Sequence, residues 1–235
     1  MHGNKPALVA VLRAAREAGA RAMWCLGDLV GYGADPLHCL ATCTSEAERC
    51  LAGNHDLAAA GRIPIDHFTG VAGEAIAWTR RALGPLAINR LARLQPSDPA
   101  GDVALFHASP RDPIWEYVVA TAQARIALEA ARAPLTLVGH THQPAAWGLR
   151  DDGSIQTVPV AGEMLLAVGG GRWLVNPGSV GQPRDGDPRA AWALYDPDDA
   201  LIHFRRTPYD VAAAQSAIIA AGLPVVLATR LSEGW

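Results

Sequence analysis

The sequence predicts an α/β fold of two mixed sheets with helices on their outer faces, a four-layer α/β/β/α sandwich. Three observations carry this expectation. From the N-terminus to about residue 144, helical segments alternate with short apolar ones, the pattern of a parallel or mixed sheet with helical crossovers. After Pro144 the apolar runs are short and broken by turns such as Asp151-Asp152-Gly153, the texture of an antiparallel sheet. Half of the 235 residues are hydrophobic and only 18% are charged, enough apolar side chain for a large buried core.

The elements follow in order. Asn4-Lys5-Pro6 opens a helix to about Glu17, with Leu8, Val11, Leu12 and Ala15 on one face. Ala22 to Leu26 reads as a buried strand followed by Gly27-Asp28, and the run Arg49 to Ala52 precedes Gly53-Asn54-His55-Asp56. Phe68 to Leu83 is a helix. Val103 to Phe106 is a strand ending at His107, Ala120 to Ala131 a helix, and Leu135 to Val138 a strand ending at Gly139-His140. Runs near 145–149, 155–160, 165–168, 173–175, 190–195 and 201–205 form the second sheet. Thr207-Pro208-Tyr209-Asp210 caps a C-terminal helix at about 208–222, stopped by Gly222. The first sheet is expected to occupy about 1–144 and the second about 145–206, so residue 145 marks a change of sheet within one domain, 1–235.

Composition excludes several classes. A net charge of −3 gives no bulk attraction for nucleic acid or an anionic membrane. The most apolar stretch, Val211 to Ala228, is cut by Gln215, Ser216, Gly222 and Pro224 and makes a poor membrane span. No signal peptide is expected, since the sequence runs straight into polar His2-Gly3-Asn4-Lys5. Cys25, Cys39, Cys43 and Cys50 contain one close pair, which reads as free, mostly buried thiols in a reducing cytoplasm. Oligomeric state is left open.

The chemistry sits at the ends of the apolar runs. Asp28, Asn54-His55, His107, and His140 with His142 each follow one, and ligands of α/β sheets bind beyond the carboxyl ends of strands. With His2, these account for five of the eight histidines. Imidazole, carboxylate and amide donors without thiolate suit Mn²⁺, Fe²⁺, Zn²⁺ or Ni²⁺. Two ions held close together need a bridging carboxylate, and Asp28 is the candidate. Gly27, Gly53 and Gly139 are expected to let the backbone turn where each ligand leaves its strand.

In order and spacing, Gly27-Asp28, Gly53-Asn54-His55-Asp56, His107 and Gly139-His140-Thr141-His142 resemble the motifs of the calcineurin-like metallophosphoesterases. His2-Gly3-Asn4 resembles the tail of that family's first motif, Asp-x-His-Gly-Asn. Gly31-Tyr32-Gly33, Ser109-Pro110-Arg111-Asp112 and Asn176 to Arg184 resemble its small bacterial predicted-phosphodiesterase branch. The resemblance implies two divalent ions. His2, Asp28 and His142 would hold the first, and Asp28, Asn54, His107 and His140 the second. A bridging water would attack phosphorus, with His55 protonating the leaving group and Asp56 orienting its ring; a helix cap is the other reading of Asp56.

The family motif carries an aspartate two residues before the histidine, and the sequence begins one residue before His2. The expectation is that this aspartate and its strand are lacking and that activity is impaired. The implied function is phosphodiesterase-like hydrolysis of a small phosphoester or phosphorylated substrate. The alternatives are a phosphoprotein or dinucleoside-polyphosphate phosphatase, or a non-catalytic scaffold of the same fold. His38, His67 and His203 match no motif. Arg111, Trp115, Tyr117 and Arg184 stay open between substrate contact and ordinary loop packing.

Overall fold

Asn4 begins the first helix, as its side-chain oxygen accepts the Ala7 amide at 3.1 Å; the computed structural model describes all residues, 1–235. Helix α1 (Lys5–Glu17) buries Ala7, Leu8 and Val11. Strand β1 (Trp24–Cys25) leads through the Asp28 turn to α2 (Pro36–Glu46), and β2 (Arg49–Cys50) leads directly into α3 (Asn54–Ala59). Cys25 and Cys50 are partners on the parallel pair β1 and β2, and all four cysteines are free thiols. Cys25, Cys39 and Cys43 share one core with Leu8, Leu29, Val30 and Leu40.

After a single 3₁₀ turn at Ile65–His67 comes α4 (Gly70–Arg93). It is longer than the sequence pattern predicts because two helices join across a kink: Gly84 takes φ 68° and Pro85 follows. Proline excludes its predecessor from the helical region, and glycine enters the left-handed one without a Cβ clash. Strands β3 (Ser97–Asp98) and β4 (Val103–Phe106), helix α5 (Thr121–Ala130) and strand β5 (Leu135–Leu137) complete the first half.

The second half contributes β6 (Ala145–Leu149), β7 (Ile155–Val158), β8 (Met164–Ala167), β9 (Arg172–Asn176), β10 (Ala190–Asp196) and β11 (Leu201–Thr207). Here the partition at residue 145 is corrected. β6, β7 and β9 extend the first sheet into six strands, ordered β3-β4-β5-β9-β6-β7. Only β10-β11-β8 form the separate antiparallel sheet. The reason is β9: it inserts beside β5 in parallel and beside β6 antiparallel, and it is apolar on both faces. Leu174 points toward α5, while Trp173 and Val175 point toward the three-stranded sheet. A strand buried on both sides reads as a continuous apolar run, so its place at the centre of a mixed sheet has no local signature.

The layers are therefore α5, the six-stranded sheet, the three-stranded sheet, and α1 packed on Ala190 and Trp192. This is the mixed α/β architecture with several sheets flanked by helices that the sequence predicts. The C-terminal segment is two helices, α6 (Val211–Ala220) and α7 (Val225–Glu233), with Gly222 and Pro224 in the joint. No helix is long and apolar enough to cross a membrane.

Arg206 on β11 ties that strand to the loop that precedes β10. It is 5% exposed and pairs with Asp185, reaches Asp187 at 3.9 Å, and donates to the Arg189 carbonyl at 3.2 Å. Both acids keep about a quarter of their side chains in solvent, 22% and 24%, so the loss on breaking the cluster falls below that of a fully buried pair. Arg206→Met should lower the unfolding free energy by about 2–3 kcal/mol. Urea unfolding checks this, and an unchanged midpoint would remove Arg206 from the list of folding determinants.

Candidate metal centre

The six donors singled out in the sequence lie within one buried cluster. His2, Asp28 and His142 place one ligand atom each within 4.8 Å of one another, and so do Asp28, His107 and His140. Asp28 belongs to both groups. Its Oδ2 lies 3.3 Å from His2 Nε2 and 3.6 Å from His107 Nε2. Asn54 joins the second group, with Oδ1 3.3 Å from His107 Nε2.

Three of the imidazoles are pinned by backbone carbonyls. Nδ1 of His2 lies 3.2 Å from Val30 O, Nδ1 of His107 2.8 Å from Leu26 O, and Nδ1 of His142 2.8 Å from Gln182 O. A carbonyl only accepts, so the ring proton sits on Nδ1 and Nε2 carries a lone pair aimed inward. Burial holds His2 and His142 well below the ordinary histidine range, and His140 at about 3; a second histidine adds to the effect on His2 and on His140. Burial works to raise Asp28, but His107, His55 and His140 outweigh it and keep the carboxylate below its ordinary value. The shifts of His2, His140, His142 and Asp28 run toward neutral imidazole and ionised carboxylate, the protonation states that metal ligation requires.

Two features of the protein's own atoms test the fit to metal ions. Asp28 Oδ2 and His140 Nε2 are buried with no hydrogen-bond partner. His2 Nε2 and His142 Nε2, both lone pairs, stand 2.9 Å apart. Facing lone pairs repel, yet this is close to the spacing of adjacent ligands on one ion with bonds of about 2.1 Å. The residues fit a pair of divalent ions sharing Asp28.

The local backbone is shaped for this convergence. His2, Asp28, His140 and His142 all have positive φ, from 51° to 64°, an uncommon state for residues with side chains and one concentrated at functional sites. The glycine expectation is partly corrected. Gly27 does use its freedom, at φ 92°, but Gly53 has φ −95° and is glycine because a Cβ there would overlap the Asp28 carboxylate. The sharp turns are made by the ligands themselves. His2 is held by its amide, which donates to Asp28 O at 2.7 Å, and by Gly33 N, which donates to His2 O at 2.9 Å.

His55 is the second residue of α3, its amide donating to Asp28 Oδ1 at 3.0 Å. Its ring lies between Tyr32, at 4.4 Å, and Phe68, at 5.2 Å, with His2 at 5.0 Å, and its buried Nδ1 has no partner. Burial lowers it to about 4. Asp56 does not orient this ring, which corrects the sequence expectation. Its carboxylate instead accepts the amides of Gly53 at 2.8 Å, Val30 at 3.0 Å and Leu29 at 3.1 Å. Burial and Asp28 raise it to about 8, and the three amides act against that rise. Asp56 sits at the third position of α3 and clamps the two ligand-bearing turns together; the N-cap itself is Gly53, whose amide Asp56 accepts, so the cap reading of Asp56 is shifted by three residues.

Other residues gained roles that sequence reasoning left unassigned. Asn176, at the end of β9, donates to Gly139 O at 2.8 Å and to Thr141 Oγ1 at 2.9 Å, fixing the loop of His140 and His142. Tyr32 covers His2 at 4.7 Å between ring centroids; the signal for it was an aromatic set between two glycines. Tyr117 stacks on His140 at 4.1 Å, Trp115 packs on Phe68 at 5.3 Å, and Arg111 pairs with Glu116 at 3.6 Å. His67 contacts Trp115 at 5.8 Å, while His38 and His203 lie on α2 and β11 outside both ligand groups.

Comparison with known proteins identifies relatives of the whole chain. The sequence model of the calcineurin-like phosphoesterase superfamily domain matches residues 1–200. An uncharacterized protein of Methanocaldococcus jannaschii is 32% identical over 239 residues, covering 100% of this chain and 95% of its own. The crystal structure of a metallophosphoesterase from Sphaerobacter thermophilus is 38% identical with a TM-score of 0.88, covering 100% of this chain and 96% of that one. A hypothetical protein from Pyrococcus horikoshii, 20% identical with a TM-score of 0.77 over 100% of this chain and 95% of its own, shares the fold. The family match over residues 1–200, together with a metallophosphoesterase 38% identical along the whole chain, places the chain in the calcineurin-like phosphoesterase superfamily.

Proposed function

We propose that the protein hydrolyses a small phosphoester, with phosphodiesterase-like activity, at a two-metal centre bridged by Asp28. The observation that carries this reading is the unpartnered Asp28 Oδ2, set among the inward-facing nitrogens of His2 and His107. His2, Asp28 and His142 would hold one ion, and Asp28, Asn54, His107 and His140 the other. Such ions, when bound, neutralise charge at phosphoryl oxygens and lower the proton affinity of the attacking water. The second group offers four donors and the first three, so the second binds its ion more tightly.

His55 is the proton donor in this reading. Its ring is packed against Tyr32, and its backbone is tied to Asp28, so it keeps a fixed relation to the ligand cluster. In the chain alone burial keeps the ring neutral. A phosphate anion arriving beside it raises its proton affinity, which lets it protonate a leaving oxygen. The six donors gathered around Asp28 and a buried, unpartnered His55 nitrogen favour an enzyme over a scaffold.

Asp28→Asn removes the charge both ions share, and metal analysis of the purified variant should show both reduced together, with hydrolysis of a nitrophenyl phosphodiester lost. Unchanged metal content would overturn the bridging role. His55→Ala should keep its metals and lose about 10²–10⁴ in kcat, most on substrates with poor leaving groups. Metal loss in that variant would mean that His55 supports the ligands and does not act on the substrate.

A further inference from the structure

Two arginines near the centre were left open by the sequence, and the structure separates them. Arg111 is neutralised by Glu116 at 3.6 Å. Arg184 makes no ion pair. Its Nη2 donates to neutral oxygens only, Gln182 Oε1 at 3.0 Å and Tyr32 Oη at 3.3 Å, and its guanidinium lies 5.7 Å from the Tyr32 ring centroid. The adjacent Asp185, a ready partner for it, is turned to Arg206 instead.

The position of this charge is specified by the metal-centre loops. Arg184 N donates to His142 O at 3.3 Å, and Gln143 Nε2 donates to Arg184 O at 2.9 Å. Gln182, two residues earlier, is the residue whose carbonyl holds His142 Nδ1. Tyr32, which carries the guanidinium, contacts both His2 and His55. Nε and Nη1 have no protein acceptor.

We propose that Arg184 binds a non-bridging oxygen of the substrate's phosphoryl group, with Tyr32 and Gln182 holding the guanidinium in place. Guanidinium donors in a fixed fork match phosphate oxygens and give short charge-assisted hydrogen bonds. An uncompensated cation next to a centre built for cations is unfavourable until an anion lies between them, and a phosphoryl group is such an anion. The inference rests on the proposed hydrolysis, and it names the part of the chain that recognises the anion.

The test is calorimetric titration of the Mn²⁺-loaded protein with inorganic phosphate, for the natural sequence, Arg184→Met and Arg184→Lys. Arg184→Met should weaken phosphate binding by about tenfold or more, with metal content unchanged, and Arg184→Lys should fall between. Equal phosphate affinity in Arg184→Met would overturn the assignment, as would loss of metal from that variant, which would make Arg184 a support for the His142 loop. Absence of phosphate binding to the natural sequence would also overturn it. Arg184-dependent phosphate binding by a protein that hydrolyses no phosphoester would uphold the anion site and count against the proposed function alone.

Discussion

A carboxylate buried with one oxygen unpaired costs on the order of several kcal/mol unless a cation meets it. Asp28 is such a group, 3% exposed with Oδ2 unpartnered, and the centre is organised around it. Its Oδ1 accepts the His55 amide, its carbonyl accepts the amide of His2, and its side chain occupies the space that a Gly53 Cβ would need. Three segments distant in sequence meet at this residue, which therefore sets the positions of the donors as well as their charge.

The surrounding strain has a shared purpose. Four of the six donor residues adopt left-handed backbone conformations that elsewhere favour glycine. Such conformations persist only where the structure over-determines them. Here Asp56 clamps the Gly53, Leu29 and Val30 amides, and Asn176 clamps Gly139 and Thr141. These buried polar groups touch no candidate ligand site directly. They convert fold stability into placement of lone pairs, the role that supporting hydrogen bonds play around metal centres in general.

The local features of this chain were legible in its sequence and the long-range ones were not. β4 has the bounds its apolar run predicts, α1 begins at its Asn4 cap, and all six donor side chains converge. The sheet order was missed because the placement of β9 between β5 and β6 depends on pairing across many residues, while its Trp-Leu-Val run fits either sheet. The expected contact of Asp56 with the His55 ring does not form because backbone amides, which any sequence supplies, take its carboxylate oxygens. The same holds for the carbonyls of Leu26, Val30 and Gln182, which fix the histidine tautomers without a residue-type signature. α2 and α7 went unread: the first shows only a Pro36 entry, and the second lies beyond Gly222, which reads as the stop of the C-terminal helix.

The central claim is that Asp28 bridges two ions. Anomalous diffraction at the metal edge from crystals grown with Mn²⁺ tests it most directly. Two peaks about 3.5–4 Å apart on either side of Asp28 Oδ2, the stronger on the His107 side, are the expected result. A single peak that leaves Asp28 unligated, or no peak within the cluster, would contradict the account.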